Sequence, residues 1–207
     1  MNAPYDSYFV ECIETGLEEL LLADIMSGKV GIESRDWADR TPLMVAVEFR
    51  KTHLVNALLG LGASAGSKSD DGETCLSRAI DGDDFKSLTL LVESGADIEQ
   101  MSSGYLTPLS LACVRGNVTM VEYLLKHGAN LEARGEMKET PLIEAAFFGQ
   151  AQVVAVLLGN NADRTAKNAF GQTALEVARE RGWPNVVAAL SAPPPRPQVR
   201  STGRAGT

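Results

Sequence analysis

Thr107 to Asn130 reads TPLSLACVRGNVTMVEYLLKHGAN, and this stretch decides the fold. Thr107 can accept a hydrogen bond from an early helical amide, and Pro108 at the first helical position forfeits nothing, because that N–H has no intrahelical partner in any helix. Leu109, Ala112 and Cys113 then fall at i, i+3 and i+4, a single apolar stripe. After a turn at Gly116-Asn117, Val121, Leu124 and Leu125 repeat that spacing on a second helix, which Gly128 ends with a left-handed residue. The unit reads as helix, turn, helix and hairpin-like loop.

Working outward, the unit recurs. Thr41, Thr74, Thr107, Thr140 and Thr173 are 33 residues apart, as are Leu43, Leu76, Leu109, Leu142 and Leu175, and Ala46, Ala79, Ala112, Ala145 and Ala178. Ala63, Ala96, Ala129 and Ala162 keep the same step. Gly62 and Gly95 match Gly128 as helix stops, and Asn161, the next best residue for that conformation, stands in the fourth unit. One such unit cannot bury its own stripe, so neighbours must stack into a continuous core.

These residues resemble the ankyrin repeat, most closely at Thr140-Pro141-Leu142, Ala145-Ala146, Gly149, Val154, Leu157-Leu158 and Ala162-Asp163, and over Thr107 to Asn130. The resemblance implies an all-α solenoid of stacked helix-turn-helix units. Units are expected over 36–68, 69–101, 102–134 and 135–167, with 168–190 as a C-terminal cap. Residues 1–35 are expected to form a degenerate N-terminal capping repeat, in which Val10, Ile13, Leu22, Ile25, Met26 and Ile32 keep the period in apolar character. Residues 191–207, with Pro193, Pro194, Pro195 and Pro197, are expected to be a solvated, disordered tail. Two departures stand out. The family's histidine after Thr-Pro-Leu is replaced by Met44, Ser77, Ser110, Ile143 and Glu176. Arg50 and Asp83 take the place of the inter-helix glycine held by Gly116, Gly149 and Gly182, so the units near 44–84 are expected to be the softest.

Composition narrows the function. Over 207 residues, 27 Asp and Glu outnumber 19 Lys and Arg for a formal charge of −8. A phosphate backbone is disfavoured as partner, and a basic or mixed apolar and basic protein surface is favoured. Arg196, Arg200 and Arg204 lie in a tail without acid, so the body is more acidic still. Cys12, Cys75 and Cys113 are too few and too scattered for a disulfide framework. No apolar run near the N-terminus suits a signal or membrane helix, the longest being Leu20 to Ala23. A monomer in the cytoplasm or nucleus, without membrane attachment, is the expectation.

Chemistry finds little footing. His127 ends a helix and His53 starts one with no nearby nucleophile, while Cys75 and Cys113 sit at packing positions. The stretch Gly60-Leu61-Gly62-Ala63-Ser64-Ala65 imitates a dinucleotide fingerprint but ends a helix where that motif must open one. Asp81, Asp83 and Asp84, with Asp70, Asp71 and Glu73, lack the glycine and terminal glutamate of a calcium loop. They read as a solvated face or as a landing patch for a basic partner. No enzyme activity, cofactor or metal is expected.

The resemblance places the residues just before Thr-Pro-Leu, and those just before the inter-helix glycine, on a concave surface. There stand Trp37, Phe49, Met101, Leu106, Met137, Phe147, Phe148 and Phe170, large apolar groups of the kind that dominate binding energy. At least one of the Phe147 and Phe148 rings is expected to face the groove, Phe148 being the one singled out, with Leu106, Met137 and Glu139 around it. Asp70, Asp71, Glu73 and Glu139 supply an acidic rim. The implied function is a non-enzymatic protein-binding module acting as inhibitor, adaptor or assembly chaperone. The alternatives are an ankyrin fragment of a larger enzyme or channel, and an adaptor whose Pro194-Pro195-Arg196-Pro197 segment recruits an SH3-like domain.

Overall fold

A computed structural model describes residues 8–193, and the tail from Pro194 onward lies outside the described residues. Twelve α-helices form six pairs among the described residues. They are α1 (Tyr8–Thr15) with α2 (Glu18–Met26), α3 (Pro42–Glu48) with α4 (Thr52–Gly60), and α5 (Cys75–Asp81) with α6 (Phe85–Glu93). The series continues with α7 (Pro108–Arg115) and α8 (Val118–Lys126), α9 (Pro141–Phe147) and α10 (Ala151–Gly159), and α11 (Ala174–Arg181) and α12 (Pro184–Ser191). Each odd-numbered helix packs on the next odd one, and α2, α4 and α6 pack in series, as do α8, α10 and α12. Between those two series α6 and α8 meet more loosely, with the Phe85 and Tyr123 rings 5.4 Å apart.

The threonines explain where the inner helices start. Thr41, Thr74, Thr107, Thr140 and Thr173 are each the N-cap, and each hydroxyl accepts from the amide three residues on. Where the family's histidine is missing, the outcome varies. Ser77 and Glu176 return the bond by accepting from the Thr74 and Thr173 amides, at 2.8 and 2.7 Å, completing capping boxes. Met44 and Ile143 are buried instead.

Between pairs the chain makes five short hairpins at the same step. The amides of Asp36, Ser69, Ser102, Gly135 and Asn168 donate to the carbonyls of Arg40, Glu73, Leu106, Glu139 and Gln172. Each hairpin has a left-handed residue at the same step, Asp39, Gly72, Tyr105, Lys138 and Gly171, and the third has a second one, Gly104. Adjacent units are also tied by carboxylates that accept from a backbone amide 31 residues on: Glu33 from Ser64, Glu99 from Asn130, and Glu132 from Asp163. Part of the acid in this sequence is therefore structural cement.

The core runs without a break from Phe9 to Leu190 and is built mainly of leucine, valine and alanine. Inner-helix alanines Ala46, Ala79, Ala112, Ala145 and Ala178 are fully buried, because the inner helices approach too closely for a larger residue. In the first pair the periodic apolar residues are not all buried. Phe9, Cys12, Ile13 and Leu21 fill the core, whereas Val10, Leu22 and Ile25 are half-buried and Met26 is 73% exposed. Leu21 keeps the inward register of Leu54, and Asp24 is buried on α2 at the register of Ala57. It accepts from the Tyr8 hydroxyl at 2.5 Å and from Lys29 at 2.7 Å. At the other end, the outer face of α11 and α12 carries Glu176, Arg179 and Ser191, which occupy the register of the buried Ile143, Ala146 and Leu158 one unit earlier.

Candidate functional site

The face made by the inner helices and hairpins carries two different kinds of surface. Over α3 and α5 it is a chain of charges, each held by the next. Asp36, buried, accepts from the Ala38 and Arg40 amides at 3.0 and 2.8 Å and pairs with the Arg40 guanidinium at 2.6 Å. Arg40 reaches Glu48 at 2.8 Å, Glu48 meets Arg78 at 2.9 Å, and Arg78 extends to Asp71 at 3.4 Å. The Ser69 hydroxyl holds the Asp71 carboxyl below the usual carboxylate range, with the Glu73 amide and Arg78 adding to the effect. Trp37 lies over this network, 69% exposed, with the Arg40 guanidinium 5.8 Å from its ring centre.

Over α9 and α11 the surface is a groove of about 340 Å³. Its walls are Ile143 and Phe147 from α9, Val177, Glu180 and Arg181 from α11, Glu139 from one hairpin, and Asn168, Phe170 and Gln172 from the next. Phe170 stands at a hairpin tip, 69% exposed, because Asn168 folds that turn by accepting from the Phe170 and Gln172 amides. Glu144, one residue along α9, is half-buried, and burial with the nearby Glu139 charge pushes its carboxyl up to about 7. None of Glu139, Glu144 and Glu180 has an ion pair among the described residues; Glu180 accepts only a neutral bond from Gln172 at 2.6 Å.

The residues singled out from the sequence divide between these surfaces. Trp37, Phe49, Met101, Met137, Phe147, Phe148 and Phe170 are all exposed, whereas Leu106 is half-buried against the core. It is the Phe147 ring that lines the groove, with Glu139 and Phe170; Phe148 closes α9 as its C-cap with its ring 5.0 Å from Phe147, and neither it, Leu106 nor Met137 lines the groove. The difference follows from helical geometry. Phe147 lies one turn from Ile143 and Glu144 on the inner face, while Phe148 follows where the helix is already unwinding. Asp70 is exposed beside Trp37, but Asp71 is engaged by Ser69 and Arg78, and Glu73 accepts from the Ser103 hydroxyl of the next hairpin. Two carboxylates read as a landing patch are thus internal ties.

Three residues went unmarked in the sequence. Arg181 lines the groove, its guanidinium 3.6 Å from the Phe147 ring centre, and Glu144 stands beside it, next to the lining residue Ile143 and within the field of Glu139. Trp183 props the groove from behind by donating its indole N–H to the Phe147 carbonyl at 3.1 Å. The 33-residue step could have flagged Trp183, since it takes the place of Gln150, which bonds the Val114 carbonyl in the same way.

Elsewhere there is little reactive potential. Cys12, Cys75 and Cys113 are buried and unbridged; burial pushes the Cys75 thiol up to about 12 and raises Cys113 as well. Among the described residues, no His, Cys, Asp and Glu side chains cluster as a metal site would require, and no helix is long and apolar enough to cross a membrane.

The search among curated proteins gives no match. The family model of ankyrin repeats matches residues 11–102 and 99–168, in three copies. Repeats of this family are in general protein–protein interaction modules. With the 33-residue step, the threonine caps and the paired helices already in place, the chain belongs to the ankyrin-repeat family.

Proposed function

We propose that the protein is a non-enzymatic binding module that uses its inner-helix and hairpin face to hold a partner protein, acting as an inhibitor, adaptor or assembly chaperone. The observation that carries this reading is the groove at α9 and α11, where Phe147 and Phe170 stand exposed among carboxylates that have no ion pair among the described residues. An apolar centre with a polar rim is the arrangement of a protein interface, and aromatic anchors in such a pocket dominate its energy. The partner's matching surface is mixed apolar and basic. The pairs α1–α2 and α11–α12 act as caps, the latter through Glu176, Arg179 and Ser191 on its outer face, and the units between follow the boundaries set by the 33-residue step.

Affinity capture from source lysate tests the reading. The parent should retain a partner that a Phe147→Ala/Phe170→Ala variant loses, at a cost of about 2 kcal/mol or more, while both give the same far-UV spectrum and melting curve. A variant that keeps the partner at full strength would move recognition to the Trp37 surface or to the back of the array.

A further inference from the structure

One inner-helix position recurs as Val45, Arg78, Leu111, Glu144 and Val177. Val45, Leu111 and Val177 are buried, and Arg78 is closed off by Glu48 and Asp71. Glu144 alone is charged there without a hydrogen bond or ion pair among the described residues. A carboxylate kept half out of water with no donor is unfavourable, and the cost is relieved when a cation arrives. Of the charged groups from the elements around it, Glu139 on the preceding hairpin adds to its negative potential. Glu180 on α11 is also acidic, and the arginine of that helix that lines the groove, Arg181, is committed to the Phe147 ring. On the α7 side its charge bears on Cys113, a buried thiol that offers no cation.

We propose that this face receives an extended segment of a partner protein that places a lysine or arginine side chain against Glu139 and Glu144 and lays the apolar residues beside it on Phe147 and Phe170. The inference rests on the protein-binding reading above and gives that partner its chemistry. An acidic segment would meet Glu139, Glu144 and Glu180 with like charge, and a wholly apolar one would bury Glu144 further without a donor. A second copy of this chain, with a formal charge of −8, is a poor source of the cation. The groove, about 340 Å³, is of a size for a few side chains rather than a folded domain.

The test uses three labelled dodecapeptides on one leucine and alanine frame, carrying two arginines, two glutamines or two glutamates, titrated with the full chain at pH 7.5 and followed by fluorescence anisotropy. The arginine peptide should bind at least tenfold more tightly than the glutamine one, and the glutamate peptide more weakly still. Glu139→Gln/Glu144→Gln should erase the arginine preference, whereas Phe147→Ala should weaken the arginine and glutamine peptides alike; melting curves check that each variant is folded. Equal binding of the three peptides, no binding of any at millimolar concentration, or a preference that survives the double glutamine variant would overturn the proposal. So would a tenfold gain in arginine-peptide affinity on cutting the chain after Ser191, which would make the Arg196, Arg200 and Arg204 segment the occupant. If the captured partner is lost with Phe147→Ala/Phe170→Ala yet the peptides show no charge preference, protein binding stands and only the cation falls. If capture is insensitive to Phe147→Ala/Phe170→Ala, recognition lies on another face of the array and this proposal falls with the groove.

Discussion

The inner face over α3 and α5 and the inner face over α9 and α11 descend from one repeat, yet they manage charge in opposite ways. In the first, Asp36, Arg40, Glu48, Arg78 and Asp71 alternate in sign and each touches the next. In the second, Glu139 and Glu180 line a groove whose one lining arginine is stacked on a ring, and Glu144 beside it feels the Glu139 charge. A closed network spends its electrostatics on holding adjacent units together, whereas an open one leaves its charge for whatever docks. The backbone tells a parallel story. The turns after α3 and α5 reverse on Arg50 and Asp83, at φ of +55° and +52°, while those after α7, α9 and α11 use glycine.

The largest expected effect tests whether the closed network supports the fold. Asp36 is wholly buried and serves both a turn and a guanidinium, so Asp36→Ala should cost about 3 kcal/mol by leaving Arg40 and two amides short of their acceptor. Urea unfolding would measure it. The same treatment of Glu139 should change stability by no more than about 0.5 kcal/mol, and comparable losses at both sites would erase the distinction between the two faces.

Next in size is Gly149→Ala, expected to cost about 2 kcal/mol. Gly149 sits at φ +76°, and an added Cβ would fall 2.9 Å from the Trp183 ring. Gly182, at a similar φ, has open space around it, so Gly182→Ala should cost only the conformational part, about 1 kcal/mol. Equal losses would mean that Trp183 gives way, and that the groove's rear support is soft. In the other direction, Arg50→Gly should stabilise by about 1 kcal/mol, since its one long bond to the Asp83 carbonyl, 3.5 Å, is little to lose against the left-handed backbone. No gain would show that the N-terminal turns are not strained.

Which of these features could be read from sequence depends on how local their cause is. Threonine caps, proline at the first helical position and buried alanines are dictated within one turn of chain, and the 33-residue step repeats the threonine and the alanine five times and the proline three times. The turn residues Asp39, Tyr105 and Lys138 escaped notice because a side chain masks what Gly72 and Gly171 declare openly; only alignment to the step exposes them. Leu22 and Met26 keep the step in apolar character yet stand half-buried and exposed, and the burial of Asp24 with partners at residues 8 and 29 is something no periodicity encodes. The groove was the least legible. Which of two adjacent phenylalanines faces inward depends on where α9 stops, and the state of Glu144 depends on what three other elements bring to it.

Glu144 also gives the smallest and most discriminating prediction. Its carboxyl titrates near 4.5 in the unfolded chain and at about 7 in the folded one, because burial and Glu139 disfavour the charged form. Between those values the folded protein holds a proton that the unfolded protein releases, so this residue's contribution to stability falls as pH rises through the window and is lost fully above pH 7. Glu144→Gln removes the ionisation. The variant should therefore match the parent at pH 4 and be more stable at pH 8, by something on the order of 1 kcal/mol once solvent screening of a half-buried group is allowed for. Thermal unfolding at the two pH values reads the difference directly. A stability difference independent of pH would mean that Glu144 is already solvated or paired in the folded chain, and the open character of the α9 face would then have to rest on Phe147 and Phe170 alone.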